Sequence, residues 1–300
     1  MALEGIQLGL LRPEPFEKAV RLFCELQDEF RLQSCEVHLE TSLYESSCRQ
    51  GKEEDADLLA SLRGRVSALG VHLPFMDINL LSDSPRISAA GRSVLEESLS
   101  FAARARADYV VFHARGTRQP TGSGHRDLSC WADVIAALAG RAGEYGLIFC
   151  LENADDLKDP AAISGILEEV KGAGLCLDIG HLFERSYSSS PWGRRLLYLN
   201  DRLSPSPFSW KKGLPFSSFN DWGGVLAALS ARTRCVHIHN HDGTCGHRPL
   251  RRGKVDFRPL TKWLGLLEHI PLIIEADYRK ESWETVREDL RYLGRLINRA

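Results

Sequence analysis

Short apolar runs rich in β-branched residues alternate, along the whole chain, with stretches whose apolar positions recur every three or four residues. Eight runs read as strands: residues 6–10, 35–39, 71–74, 109–113, 147–152, 175–178, 235–239 and 272–276. Between them the helical period predicts amphipathic helices over 15–30, 54–69, 86–106, 130–143, 159–171, 222–231 and 257–268, with a closing helix at 281–297. Eight strand–helix units predict an α/β chain folded as a closed (β/α)8 TIM barrel. A doubly wound sheet would more often show about six strands and a glycine-rich phosphate loop after an early one. Here GLLRPEP follows the first run, and no GxGxxG occurs.

The polar residues sharpen this picture. His72 lies in the third run, while His113, Glu152, Asp178, His237 with His239, and Glu275 fall at or near the carboxyl ends of the fourth to eighth. In a barrel those ends open on one face, where catalytic groups converge. Any one of these residues alone could cap a helix or satisfy a backbone group; the set together predicts one polar pocket. Within VHIHNHDGTCGH, residues 236–247, strand alternation puts His237 and His239 on one face. LDIGH, residues 177–181, turns at Gly180 and brings His181 toward Asp178. Residues 184–220 form a long insertion after the sixth strand, expected to lie over the carboxyl face. It interleaves aromatic residues, Trp192 and Trp210 among them, with arginines and lysines, a composition suited to a substrate wall, a lid or an oligomer contact. Arg251 and Arg252, after the seventh strand, are candidates for phosphate or substrate binding, with a solvated charged rim as the alternative.

Composition narrows the class. The chain has 300 residues, 43% of them hydrophobic, enough for one barrel domain over 1–300. Lys plus Arg number 38 against 40 Asp plus Glu, so no global charge draws the chain to nucleic acid or an anionic membrane. The eight cysteines form no CxxC pair and read as reduced residues of a cytoplasmic protein; the amino terminus lacks a signal-peptide pattern, and no membrane span is expected. Glu152, Asp178, His237 and Glu275 mix hard oxygen donors with imidazole, which suits Zn or Mn, with Co or Fe(II) also compatible. His72, His113, His181, His239 and His247 add more donors than one ion needs, so they serve further metal ions or hold substrate.

HLPFMDINL (72–80), VVFHARG (110–116), LEN (151–153), LCLDIGHLFE (175–184), VHIHNHDG (236–243) and LIIEAD (272–277) occur in this order. In this the chain resembles the xylose isomerase-like TIM barrel superfamily, which holds sugar isomerases and epimerases and also apurinic endonucleases of the endonuclease IV type. The resemblance implies a single-metal set of Glu152, Asp178, His237 and Glu275, with Glu152 and Glu275 also exchanging the substrate proton and His181 binding a substrate oxygen. It further implies that His72, His113, His181 and His247 match positions used by trinuclear zinc endonucleases, with Asn79 in the matching HxPxxxxNL segment. The chain departs from that pattern where Cys245 stands two residues before His247 in place of an aspartate, within LRRG (250–253), and at Asn240, which ends the HxHD-like segment. The incomplete acidic set and balanced charge favour a sugar, sugar phosphate or related polyol ketone as the partner, and proton abstraction α to a carbonyl as the reaction. Abasic DNA with phosphodiester cleavage is the alternative, and a non-catalytic metal-bearing barrel a third. A homodimer is expected on family likeness alone.

Overall fold

The structure, a computed structural model, describes residues 3–8, 16–39, 53–76, 78–114, 128–155, 157, 160–183, 229–243, 245–262 and 264–298. Among them, strands β1 (Leu3–Leu8), β2 (Ser34–His38), β3 (Ala68–His72), β4 (Tyr109–Phe112), β5 (Ile148–Glu152), β6 (Ala173–Asp178), β7 (Thr233–Ile238) and β8 (Pro271–Ile274) pair in parallel and in order. β8 returns to β1 through the register Leu3↔Pro271 to Ile6↔Ile274 and closes the barrel. Helices α1 (Phe16–Phe30), α2 (Glu53–Ala60), α3 (Pro85–Arg104), α4 (Leu128–Glu144), α5 (Pro160–Glu169) and α6 (Trp283–Ile297) occupy the connections. No helix among the described residues is long and apolar enough to cross a membrane.

Two-residue alternation along each strand divides the chemistry. Outward residues such as Val37, Val71, Phe112, Phe149, Leu177, Val236 and Ile274 join the large apolar core beneath the helices. That core receives the i, i+3, i+4 stripes of the helices, for example Phe16, Ala19, Val20, Phe23 and Leu26 of α1. α6 starts where the Ser282 side chain accepts from the Thr285 amide, and α3 has Pro85 in its first turn, where no amide hydrogen is needed. The inward residues differ sharply. Tyr109, Val111, Cys150, Cys176 and Cys235 form a second buried cluster, and buried polar residues stand above them at the carboxyl ends.

Two expected elements differ. Over 257–268 the chain makes 3-10 turns at Arg258–Lys262 and Leu264–Leu267 instead of an α-helix. Gly265 weakens a helix in the interior of that span, so the apolar spacing there does not sustain one. The helix expected over 54–69 ends as α2 and a 3-10 turn at Ser61–Gly64, because Ala68, Leu69 and Gly70 are claimed by β3 through pairing with β2. Most of the helix expected at 222–231 lies outside the described residues, as does the insertion at 184–220 with Trp192 and Trp210. The described chain shows the β6-to-β7 connection leaving at Phe183 and returning at Leu229.

Gly70 is required by packing. A Cβ there would lie 2.2 Å from the Tyr109 ring, which fills the barrel interior beside it. Replacing it, Gly70→Ala, is expected to destabilise the fold by about 1–3 kcal/mol through overpacking. A urea unfolding midpoint equal to that of the parent protein would contradict this packing account.

Candidate metal and catalytic centre

Glu152 ends β5 on the barrel axis and has no solvent exposure. Its Oε2 lies 3.0 Å from His113 Nε2, 3.3 Å from His72 Nε2 and 3.4 Å from His237 Nδ1, and its Oε1 lies 3.7 Å from His181 Nε2. Two strands, β3 and β7, and the segments just after β4 and β6 thus aim imidazoles at one carboxylate. Burial alone would raise the Glu152 carboxyl, but attraction to His113 and His237 outweighs it and holds the group well below its ordinary value. Glu275 follows the same balance: burial raises it, and His237 at 2.9 Å from its Oε2 brings it well below the usual carboxylate range. Asp178 is also lowered, burial being overcome by His239 and His181. All three therefore stand as carboxylates at neutral pH.

Ligand atoms of Glu152, Asp178, His237 and Glu275 all lie within 4.8 Å of one another. Further sets that meet the same limit adjoin it: His72, His113 and Glu152; His181, His239 and His247; and His38, His72 and Glu275. Both Glu152 oxygens, Asp178 Oδ2, His237 Nδ1, His239 Nε2 and Glu275 Oε2 are buried without a hydrogen-bond partner. Such convergent unsatisfied donors and acceptors are costly in a closed core and are what a divalent cation satisfies. The ring orientations agree. His72 Nδ1 lies 2.9 Å from the Leu73 carbonyl and His247 Nδ1 lies 3.0 Å from that of Glu275, so in the neutral rings each Nδ1–H donates and Nε2 keeps its lone pair.

The shell behind these residues contains groups the sequence patterns did not single out. Gln7 Nε2 donates to Glu36 at 2.6 Å and to Glu275 at 3.1 Å, and Glu36 lies 3.1 Å from His237 Nε2. A carboxylate behind the imidazole orients it toward the pocket. Asn153 ties the ends of β5 and β6, donating to the Asp178 carbonyl at 2.9 Å and accepting its amide at 2.7 Å. His38 stacks on His72 with ring centroids 4.1 Å apart. Asp155 holds His113 from behind, 3.0 Å from Nδ1. Inward alternation on the first two strands, from Gln7 through Glu36 and His38, was the available signal.

The sequence from residue 39 to residue 296 matches the family model described as xylose isomerase-like TIM barrel. The chain belongs to that family. No curated protein matches it. Solved structures that resemble this xylose isomerase-like barrel include a D-tagatose 3-epimerase-like protein, 16% identical with a TM-score of 0.66, over 98% of this chain and 97% of that one. A Thermus thermophilus protein soaked with ZnCl2 is 24% identical with a TM-score of 0.60, over 99% of each chain. D-Allulose 3-epimerase from Methylomonas sp. in complex with D-allulose is 15% identical with a TM-score of 0.65, over 100% of this chain and 97% of that one. At these identities the likeness is one of fold.

The barrel brings together Glu152, Asp178, His237, Glu275, His72, His113, His181, His239 and His247. Arg251 pairs with Glu288 of α6 at 2.7 Å and Arg252 with Glu281, just before α6, at 2.5 Å. Cys245 is exposed, and the Asp242 carboxylate is engaged by the Cys245 amide and Arg248. Asn240 is a loop clamp: its Nδ2 donates to the Leu250 and Val255 carbonyls at 2.6 and 3.2 Å, and its Oδ1 accepts from the His241 and Val255 amides at 2.8 and 2.9 Å. An aspartate there would have no hydrogens for those two carbonyls.

Accordingly, Asn240→Asp is expected to destabilise the protein by about 1–3 kcal/mol, read as a lowered chemical unfolding midpoint; unchanged stability would contradict the clamp. A second expectation concerns His113. Burial lowers its imidazole, but Glu152 and Asp155 overcome this and push it up to about 10. Because this exceeds the unfolded value of about 6.5, its contribution to stability is full below that pH and is lost as pH rises through the folded value. In metal-free protein, Asp155→Asn should lower the His113 midpoint in an NMR titration and end the stabilisation at lower pH. A midpoint that does not move would remove Asp155 from the account.

Proposed function

We propose that the chain is a divalent-metal-dependent isomerase or epimerase acting on a sugar, sugar phosphate or related polyol ketone by removal of a proton α to a carbonyl. The observation that carries this reading is the pairing of Glu152 and Glu275 in one buried set with Asp178 and His237, each glutamate keeping an oxygen without a hydrogen-bond partner. The epimerases among the structural relatives, including the one crystallised with D-allulose, support it.

Glu152, Asp178, His237 and Glu275 would hold the cation, Zn or Mn suiting the donors best, and its charge would polarise the substrate carbonyl and acidify the neighbouring C–H. One glutamate carboxylate takes the proton from carbon; the other returns one to the opposite face for epimerisation, while return by the same group to the adjacent carbon gives isomerisation. The depressed pKa values keep the abstracting glutamate in the accepting form; the second takes up a proton from solvent or a substrate hydroxyl before it delivers one. His181, partly exposed at the mouth, is placed to hold a substrate oxygen, and Phe75, stacked 4.1 Å from the His113 ring, supplies an apolar wall. Glu36 and Gln7 hold His237 and Glu275 in register.

The adjoining sets around His72 with His113 and around His181 with His239 and His247 favour a second reading, hydrolysis of a phosphodiester such as abasic DNA at a cluster of ions. One experiment separates the two. Protein reconstituted with Zn or Mn is analysed for bound ions by anomalous scattering, then assayed for solvent deuterium uptake into a panel of ketoses and for nicking of an abasic-site duplex. Deuterium uptake that falls by about 10²–10⁴ in both Glu152→Gln and Glu275→Gln is the expected result. Three ions with nicking and no exchange would replace the proposal by the second reading. Neither activity in fully loaded protein would sink both.

A further inference from the structure

Three thiols lie beneath the carboxylate and imidazole donors. Cys150, Cys176 and Cys235 each precede a member of the upper set, Glu152, Asp178 and His237, by two residues. Strand alternation therefore turns each thiol into the barrel, one layer lower. All three are fully buried and free. Cys176 and Cys235 are partners in the β6–β7 register, next to an irregularity at Leu175/Cys176. Cys150 shares the same buried interior cluster with Cys176 and Cys235. The Tyr109 hydroxyl is buried in the same cluster with no hydrogen-bond partner. Ligand atoms of Cys176, Cys235 and His237 lie within 4.8 Å of one another, the same closeness as in the upper set.

We propose that Cys176 and Cys235, with a ring nitrogen of His237, form a second cation site, selective for soft ions such as Cd2+, Cu+ or Hg2+. The chemistry follows from the donors: two sulfurs and an imidazole disfavour the hard oxygen-seeking ions that carboxylates attract and favour thiophilic ones. Cys150, in the same buried cluster, is a further thiol. The neutral Tyr109 hydroxyl can donate to a thiolate formed when the ion displaces the thiol proton. His237 belongs to both sets. If the proposed function holds, a soft ion in the lower layer withdraws a ligand from the working site and inhibits turnover.

The test uses the full chain and Cd2+ alone, with ultraviolet sulfur-to-cadmium charge transfer as the readout and 113Cd NMR as the second measurement. The expected result is a charge-transfer band and a thiolate-range cadmium resonance that persist when exposed Cys130 and Cys245 are both changed to Ser. Both signals should be lost in Cys176→Ala and in Cys235→Ala. Should either alanine variant fail to fold, the parent protein's cadmium resonance decides: a shift in the oxygen and nitrogen range overturns the site. Absence of the band, its survival in a folded Cys235→Ala protein, or its loss on changing Cys130 and Cys245 would also overturn it. These signals report the sulfur site whether or not the chain turns over a sugar, so failure here and failure of the proposed function are told apart.

Discussion

A carboxylate on the axis of a barrel, out of contact with water, constrains everything around it. Removing such an ion from solvent costs several kcal/mol even after relaxation, and Glu152 meets that cost through His72 and His237 on β3 and β7 and through His113 and His181 just beyond β4 and β6. Those imidazoles need partners in turn. Asp155 stands behind His113, and Glu36 stands behind His237. Gln7 then bridges Glu36 to Glu275. The array closes on itself around the pocket, so a change at β1 is felt at β8 through hydrogen bonds and charge as well as through packing. Where Glu152 and Glu275 keep unsatisfied oxygens, the array remains incomplete, and that residual acceptor capacity is the feature a cation or substrate can use.

The segment after β7 shows how a loop that presents histidines is kept rigid. Asn240 fastens its start to residues 250 and 255, and Asp289 of α6 accepts the Leu250 and Arg251 amides as well as the Tyr278 hydroxyl. Between these anchors His247 takes a left-handed backbone, φ 51°, and its amide donates to His239 Nδ1. A non-glycine residue held in that region marks a position that the surroundings over-determine. Gly180 completes the arrangement: a Cβ there would lie 2.1 Å from the His239 ring. The departures of this chain at 240 and 245 thus have different physical meanings. Asn240 builds the loop, whereas Cys245 is an exposed thiol in the turn before His247.

Much of this was legible because strands have a period of two and a parallel barrel opens all its carboxyl ends on one side. Glu152, Asp178, His237 and Glu275 stood at the ends of apolar runs, and the structure gathers them there. Glu36 and His38 were passed over although they alternate inward toward the end of β2, because CEVHL carries only two polar residues, and Gln7 because one amide in an apolar strand is easily taken for a tolerated core residue. Their roles depend on partners more than 25 positions away in sequence, such as Gln7 with Glu36 and Glu36 with His237, which no local pattern reveals. The turns at 258–267 illustrate the opposite failure: apolar spacing suggested a helix, and Gly265 within it weakened that preference.

The same period of two makes the interior a stack whose layers can differ in chemistry. A residue and the one two positions later share a face but stand about 6.6 Å apart along a strand, close enough for one imidazole to touch both layers and far enough for each layer to have its own donors. The upper layer has carboxylates whose charge is balanced by imidazoles; the lower has small sulfur-bearing side chains that leave room for the Tyr109 ring against Gly70. Larger branched residues, usual inside such barrels, would fill that volume and insulate His237 from below. With Cys176 Sγ within 4.8 Å of a ring nitrogen of His237, the lower layer instead lies beside the ligand on which the upper one depends. A soft ion bound in the proposed sulfur layer would therefore compete with the centre above it for His237.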